Sequence, residues 1–167
     1  SNQIEINMKN TKLFLLTALA LLPGLLLAQQ SLEYCNNRFG FCVQYPVDLH
    51  LAADRPVNAD GIMLEAAGGE IVVNISGSHN VMDWSTEKLY AFEKEEFAAT
   101  HDGEARELRL ETDEEGFQAV LVGGEEVEAI RMWRLNGAYM LITIQGPISK
   151  KEAIETLWNQ IKVSLNS

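Results

Sequence analysis

The spacing of apolar positions changes several times along the chain, and each change predicts an element. Over 39–45 apolar and polar residues alternate, with Asn36-Asn37-Arg38 before them and Pro46 after, so a strand is expected to pair with a shorter one at 34–35. The stretch 48–60 is mixed and predicts only a short strand near 49–53. Residues 62–67 and 70–76 read as strands joined by a tight turn at Gly68-Gly69. Over 83–100 the period becomes helical: Leu89, Tyr90, Phe92, Phe97, Ala98 and Ala99 are set against Glu87, Lys88, Glu93, Lys94 and Glu95, which are expected mostly outside. Asp83 or Ser85 can cap its first amides, and His101-Asp102-Gly103 ends it.

Strand patterns then return. Leu108 and Leu110 alternate with Glu107, Arg109 and Glu111, which predicts a half-buried strand. Further strands are expected over 117–122 and 126–135, after turns at 113–116 and Gly123-Gly124. Asn136-Gly137 is a type I′ hairpin pair, and 138–144 is apolar on both faces, as a central strand covered on two sides would be. Ser149 to Glu152 has the form of a capping box after Pro147, and Ile154, Leu157, Trp158, Ile161 and Leu165 recur at helical spacing. Tight turns between most strands make the sheet antiparallel. The fold class is α+β, an antiparallel β-sheet sandwiched between helices. Without repeats or a linker, residues 29–167 form one domain.

Residues 1–28 stand apart. Met8-Lys9-Asn10-Thr11-Lys12 is a basic start, residues 13–27 are Leu-rich and apolar, and Ala28 precedes Gln29-Gln30-Ser31. That is the layout of a signal peptide, with Ser1 to Asn7 as upstream sequence and cleavage near Ala28/Gln29. The apolar run is broken by Pro23-Gly24 and falls short of the ~20 residues that cross a bilayer. The chain is expected in the periplasm or outside the cell, with no stable membrane anchor after cleavage. In such a compartment Cys35 and Cys42 are expected to form a disulfide across a hairpin, since their gap is unlike a Cys-x-x-Cys redox pair and two ligands make no zinc site.

Composition narrows the function. Of 167 residues 47% are apolar and 22% charged, with a formal net charge of -11, so the surface repels phosphate backbones and nucleic acid is not an expected partner. Without residues 1–28 the charge becomes -12. From Asp102 to Glu128 ten acidic residues face only Arg106 and Arg109. Asp113-Glu114-Glu115 and Glu125-Glu126 fall at two turns, which could gather their carboxylates. The Asp-x-Asp-x-Asp-Gly calcium pattern is missing, so Glu114, Glu115, Glu125 and Glu126 are read as solvated surface that could dock a basic protein partner. Trp84, beside Val81 and Met82, is a second candidate docking residue, whereas Trp133 and Tyr139 are read as core.

His50, His79 and His101 form no metal-ligand array, and Ser78, His79 and Asp83 lack the Gly-x-Ser-x-Gly turn of a nucleophile elbow. Neither glycine pair leads into a phosphate-binding helix. No catalytic residue, metal site or cofactor is therefore expected.

Tyr34-x-Asn36 leading to Phe39-Gly40-Phe41-Cys42-Val43-Gln44-Tyr45-Pro46 resembles the opening of the PsbP-like superfamily, and the Asn136-Gly137 hairpin, the strand 139–144 and the helix opened by Ser149 resemble its C-terminal half. The resemblance spans most of 34–165 and implies an α/β/α sandwich. That superfamily includes a Ran-binding nuclear-transport factor, photosystem assembly proteins and secretion-effector chaperones, which bind macromolecules rather than catalyse a step. It has no active site to carry over, and the cysteine pair is not one of its marks. The expected function is an exported non-enzymatic domain that binds or helps assemble a protein partner. The alternatives are a periplasmic neutraliser or chaperone of a secreted effector, and a hydrolase or metal-dependent enzyme whose site is assembled from distant residues.

Overall fold

The alternating stretches of the chain do become strands, in two separate antiparallel sheets. A computed structural model describes residues 30–53, 60–66 and 68–165; the expected leader and its cleavage point lie outside these. The elements in chain order are β1 (Ser31–Asn36), β2 (Phe41–Pro46), β3 (His50–Leu51), β4 (Gly61–Glu65), β5 (Val72–His79), α1 (Thr86–Thr100), β6 (Arg106–Thr112), β7 (Gly116–Gly123), β8 (Glu126–Leu135), β9 (Ala138–Pro147), α2 (Lys151–Gln160) and β10 (Lys162–Leu165). The larger sheet has the order β3-β4-β5-β9-β8-β7-β6, and the smaller one is β1-β2-β10.

Strand β9 is the middle of the larger sheet, and its double apolar pattern has a direct cause. Met140, Ile142 and Ile144 point to one face, where they pack with Val73 and Ile75 of β5, Phe41 and Val43 of β2, and Ile154 and Leu157 of α2. Leu141 points to the other, joining Leu89 and Phe97 of α1 with Leu121, Ile130 and Met132. The layers are therefore α1, the seven-stranded sheet, and then α2 beside the small sheet. That is the expected sandwich. The β8–β9 hairpin turns at Asn136-Gly137, with Gly137 at φ 68°, where a side chain would be strained.

Four local expectations are corrected. The expected hairpin of β1 and β2 joins β10 in a small second sheet, where a single sheet is expected. The helical spacing of Ile161 and Leu165 does not continue α2: Ile161 is extended (φ -76°, ψ 126°), and Lys162–Leu165 pairs with β2 from Gln44 to Phe41. The open edge of β2 supplies backbone hydrogen bonds that a further helical turn could not. Ser149 is no cap either; Ile148–Lys150 is a 3₁₀ turn, and α2 starts without a side-chain cap. The fourth concerns β6. Expected half-buried, it is exposed throughout, with Leu108 and Leu110 at 41% and 36% exposure. It is the outermost strand, and the ten-residue α2 packs over β2, β8 and β9.

Candidate functional site

The shortness of α2 leaves a groove. Between the helix and the β6 edge lies an open cavity of about 420 Å³. Its floor is Val120 of β7 and Ala129 of β8, which sit opposite one another in register and so share a face. Trp158 of α2 forms one wall and Leu108 of β6 the other, while Arg109 and Lys151 stand at the rim. A β-bulge between Glu107 and Arg109 breaks the alternation of β6, so that Leu108 and Arg109 both line the groove. Arg109 is paired with Glu111 at 2.7 Å and Lys151 with Glu155 at 3.5 Å. Toward β8 the wall continues through Trp133, whose ring lies 4.5 Å from the Arg131 guanidinium. An apolar floor, an aromatic wall and a charged rim suit binding. Among the described residues the groove presents no nucleophile paired with a base.

Sequence reading missed this groove because Trp158 has the helical spacing of a core residue, and half-buried Trp158 is in part core. A ten-residue helix cannot span seven strands, so some of one face remains open, but helical spacing that runs on to Leu165 hides that length in the sequence.

The acidic candidates are not brought together. Glu114 and Glu115 lie at the β6–β7 turn, Glu125 at the β7–β8 turn, and Glu126 at the start of β8. The eight residues of β7 separate the two turns by roughly 23 Å. Asp113 has a structural task, accepting from the amides of Glu115 and Gly116 at 2.8 and 2.9 Å. Trp84 is half-buried and fixed: its amide donates to Asn80 Oδ1, its carbonyl accepts from Asn80 and Arg134, and its ring centroid lies 5.4 Å from that of Phe92. Its neighbours Val81 and Met82 form the exposed tip, at 83% and 67%. Cys35 and Cys42, opposite each other in β1 and β2, are joined at 2.06 Å between sulfurs. Glu33 lies close by, but a disulfide offers no thiolate to a metal.

The histidines are also held apart. His50 is on the β3 edge opposite Glu65, and His101 stacks on Phe97 beside Gly123 of β7, five strand spacings or roughly 24 Å across the sheet. His79 packs on Phe39 at the opposite end of β5. Ser78 and His79 are successive strand residues and project to opposite faces, which rules out a triad with Asp83.

On the α1 side two carboxylates occupy the helix–sheet interface. Glu93 lies four residues from both Leu89 and Phe97, on the stripe that faces the sheet. Burial, then Glu96, pushes it up to about 7. Burial, then Glu93, pushes Glu128 of β8 up to about 7 as well. Tyr90 donates to Glu107 at 2.5 Å, and its phenol is raised by burial and by that carboxylate. Tyr139 is raised chiefly by burial.

No protein-family model matches the chain, and no curated protein matches it by sequence. Among solved structures, the solution structure of cyanobacterial PsbP (CyanoP) from Synechocystis sp. PCC 6803 is 12% identical, with 84% of this chain and 96% of that chain covered at a TM-score of 0.58. A crystal structure from Bacteroides thetaiotaomicron VPI-5482 is also 12% identical, covering 81% of this chain and 49% of that one at a TM-score of 0.41. The first likeness supports a PsbP-like fold, as the resemblance of the sequence implied, and carries no link to the Ran-binding member.

Proposed function

We propose that this chain is an exported, non-catalytic domain that binds or helps assemble a protein partner, and that the partner docks on the groove between α2 and β6. One observation carries the reading: the sheet face beside Trp158 is left open over an apolar floor, while the groove brings together no reactive set of side chains. The PsbP-like fold agrees with a binding role.

The test is co-purification of tagged protein from envelope extract, with identification of what is retained by mass. Leu108→Asp and Asn159→Trp, both at exposed positions lining the groove, should each lower recovery of the partner at least tenfold while the far-ultraviolet spectrum stays unchanged. Full recovery with both variants would remove the groove from the proposal. A single basic effector lost only on charge reversal at Glu114, Glu115, Glu125 and Glu126 would instead favour the neutraliser reading. Export is checked separately: the mature N-terminus should be Gln29 and the protein should fractionate with the envelope.

A further inference from the structure

We infer that α1 is a pH-gated cover: ionisation of Glu93 and Glu128 loosens the helix from the sheet as a unit, while the rest of the fold stays in place. The device lies on the face opposite the groove and stands independently of what docks there.

Geometry puts both carboxyls beneath the helix. Glu93 lies one turn from Leu89 and one turn from Phe97, both buried, so its side chain leaves α1 on the stripe that meets the sheet. Glu128 alternates with Ile130 and Met132 along β8, and strand period sends all three to the α1 side. Each carboxyl is half-buried, and among the described residues neither belongs to an ion pair.

The surrounding groups do not compensate. On α1, Lys94 lies 3.6 Å from Glu107 of β6, which also accepts from Tyr90, and Lys88 sits over the Trp84 ring. Glu96 adds a further negative charge beside Glu93. On β8, Arg134 donates to the Trp84 carbonyl, and Glu126 shares the face of Glu128. From β7 the helix meets Phe117, Ala119 and Leu121, and from β9 the phenol of Tyr139, which feels Glu93. His101, just past the helix, is stacked on Phe97. Ionising both carboxyls therefore sets like charges in a desolvated seam. Each is raised from 4.5 to about 7, so the docked helix holds protons that an undocked one releases, and docking weakens as pH rises between those values.

The separation of the two cores makes the response local. Leu89, Tyr90 and Phe97 of α1 belong to the cluster on their own face, and no residue of α1 enters the cluster built around β2, β5, β9 and α2. Among the described residues no second helix covers the α1 face, since α2 packs on the other. The helix can leave without opening the larger core, and its leaving uncovers Phe117, Leu121, Ile130, Met132 and Leu141.

Residue-resolved hydrogen exchange tests this, with protection factors compared between α1 and β9. Protection of the α1 amides should fall at least tenfold relative to that of the β9 amides between pH 5 and pH 8. Glu93→Gln and Glu128→Gln should each reduce that fall, and the double substitution should remove it. Glu95→Gln, at an exposed position of the same helix, should leave it unchanged. Parallel loss of protection in α1 and β9, or α1 amides already unprotected at pH 5, would overturn the inference. So would a fall that survives the double substitution, or one that Glu95→Gln removes equally well.

Discussion

Glu93 of α1 and Glu128 of β8 meet across the helix–sheet interface, and the charge of Glu93 adds to the burial that raises Glu128. Glu96 acts on Glu93 in the same way, and Tyr139 of β9 also feels Glu93. Two carboxyls raised to about 7 from an ordinary 4.5 mean that the folded chain binds more protons than the unfolded one between those values. Stability from this pair is highest at or below pH 4.5, falls as pH rises toward 7, and is lost above it. Thermal unfolding should show that decline between pH 4.5 and 7.5. Glu93→Gln or Glu128→Gln should flatten it and raise the midpoint at pH 8 by at least about 3 °C. A flat wild-type profile would contradict the interaction.

The disulfide across β1 and β2 closes a short loop, with a sequence separation of 7 between Cys35 and Cys42. Reduction, or a Cys35→Ala/Cys42→Ala variant, should cost about 2–3 kcal/mol in the chain-entropy model and leave the larger sheet in place. Denaturant titration with and without reductant measures the difference. Thiol counting on non-reduced protein should find none of the two cysteines free.

Phe39 lies over Gly77 of β5, where a Cβ would overlap its ring. Gly77→Ala should destabilise by about 1–3 kcal/mol through overpacking. Adding Phe39→Ala removes the overlapped ring, so the double variant should cost less than the sum of the two singles. Additive penalties would place the cost elsewhere.

Ser85 caps α1, its hydroxyl accepting from the Lys88 amide at 3.3 Å, while Asp83 occupies a turn at φ 48°. Ser85→Ala should therefore cost about 1 kcal/mol and Ser85→Asp should restore it, with urea midpoints as the measure. Asp83→Gly relieves the positive φ and should be neutral or stabilising.

Where period alone decides structure, the sequence was readable. The double-faced 138–144 pattern pointed to the middle strand, Asn136-Gly137 to its hairpin, and the cysteine spacing to the bridge. Reading failed where a neighbour decides. Leu108 and Leu110 alternate like a covered strand, but whether anything covers β6 depends on the length and position of α2. Leu165 keeps helical spacing, yet the empty edge of β2 claims its backbone. The two acidic turns are close in sequence and a full strand apart in space. The groove arises from the same kind of mismatch between layers, which no single segment encodes.

The pairing of β10 with β2 joins the earliest hairpin of the described chain to its final strand. A chain made amino end first has β2 available before Lys162–Leu165, so Phe41 and Val43 are sealed beneath a finished small sheet only once β10 is in place. During that interval the Cys35–Cys42 bridge, formed between neighbours in sequence, is the element able to hold β1 and β2 in register. A bridge formed before β10 docks would keep the exposed edge of β2 from mispairing with another molecule.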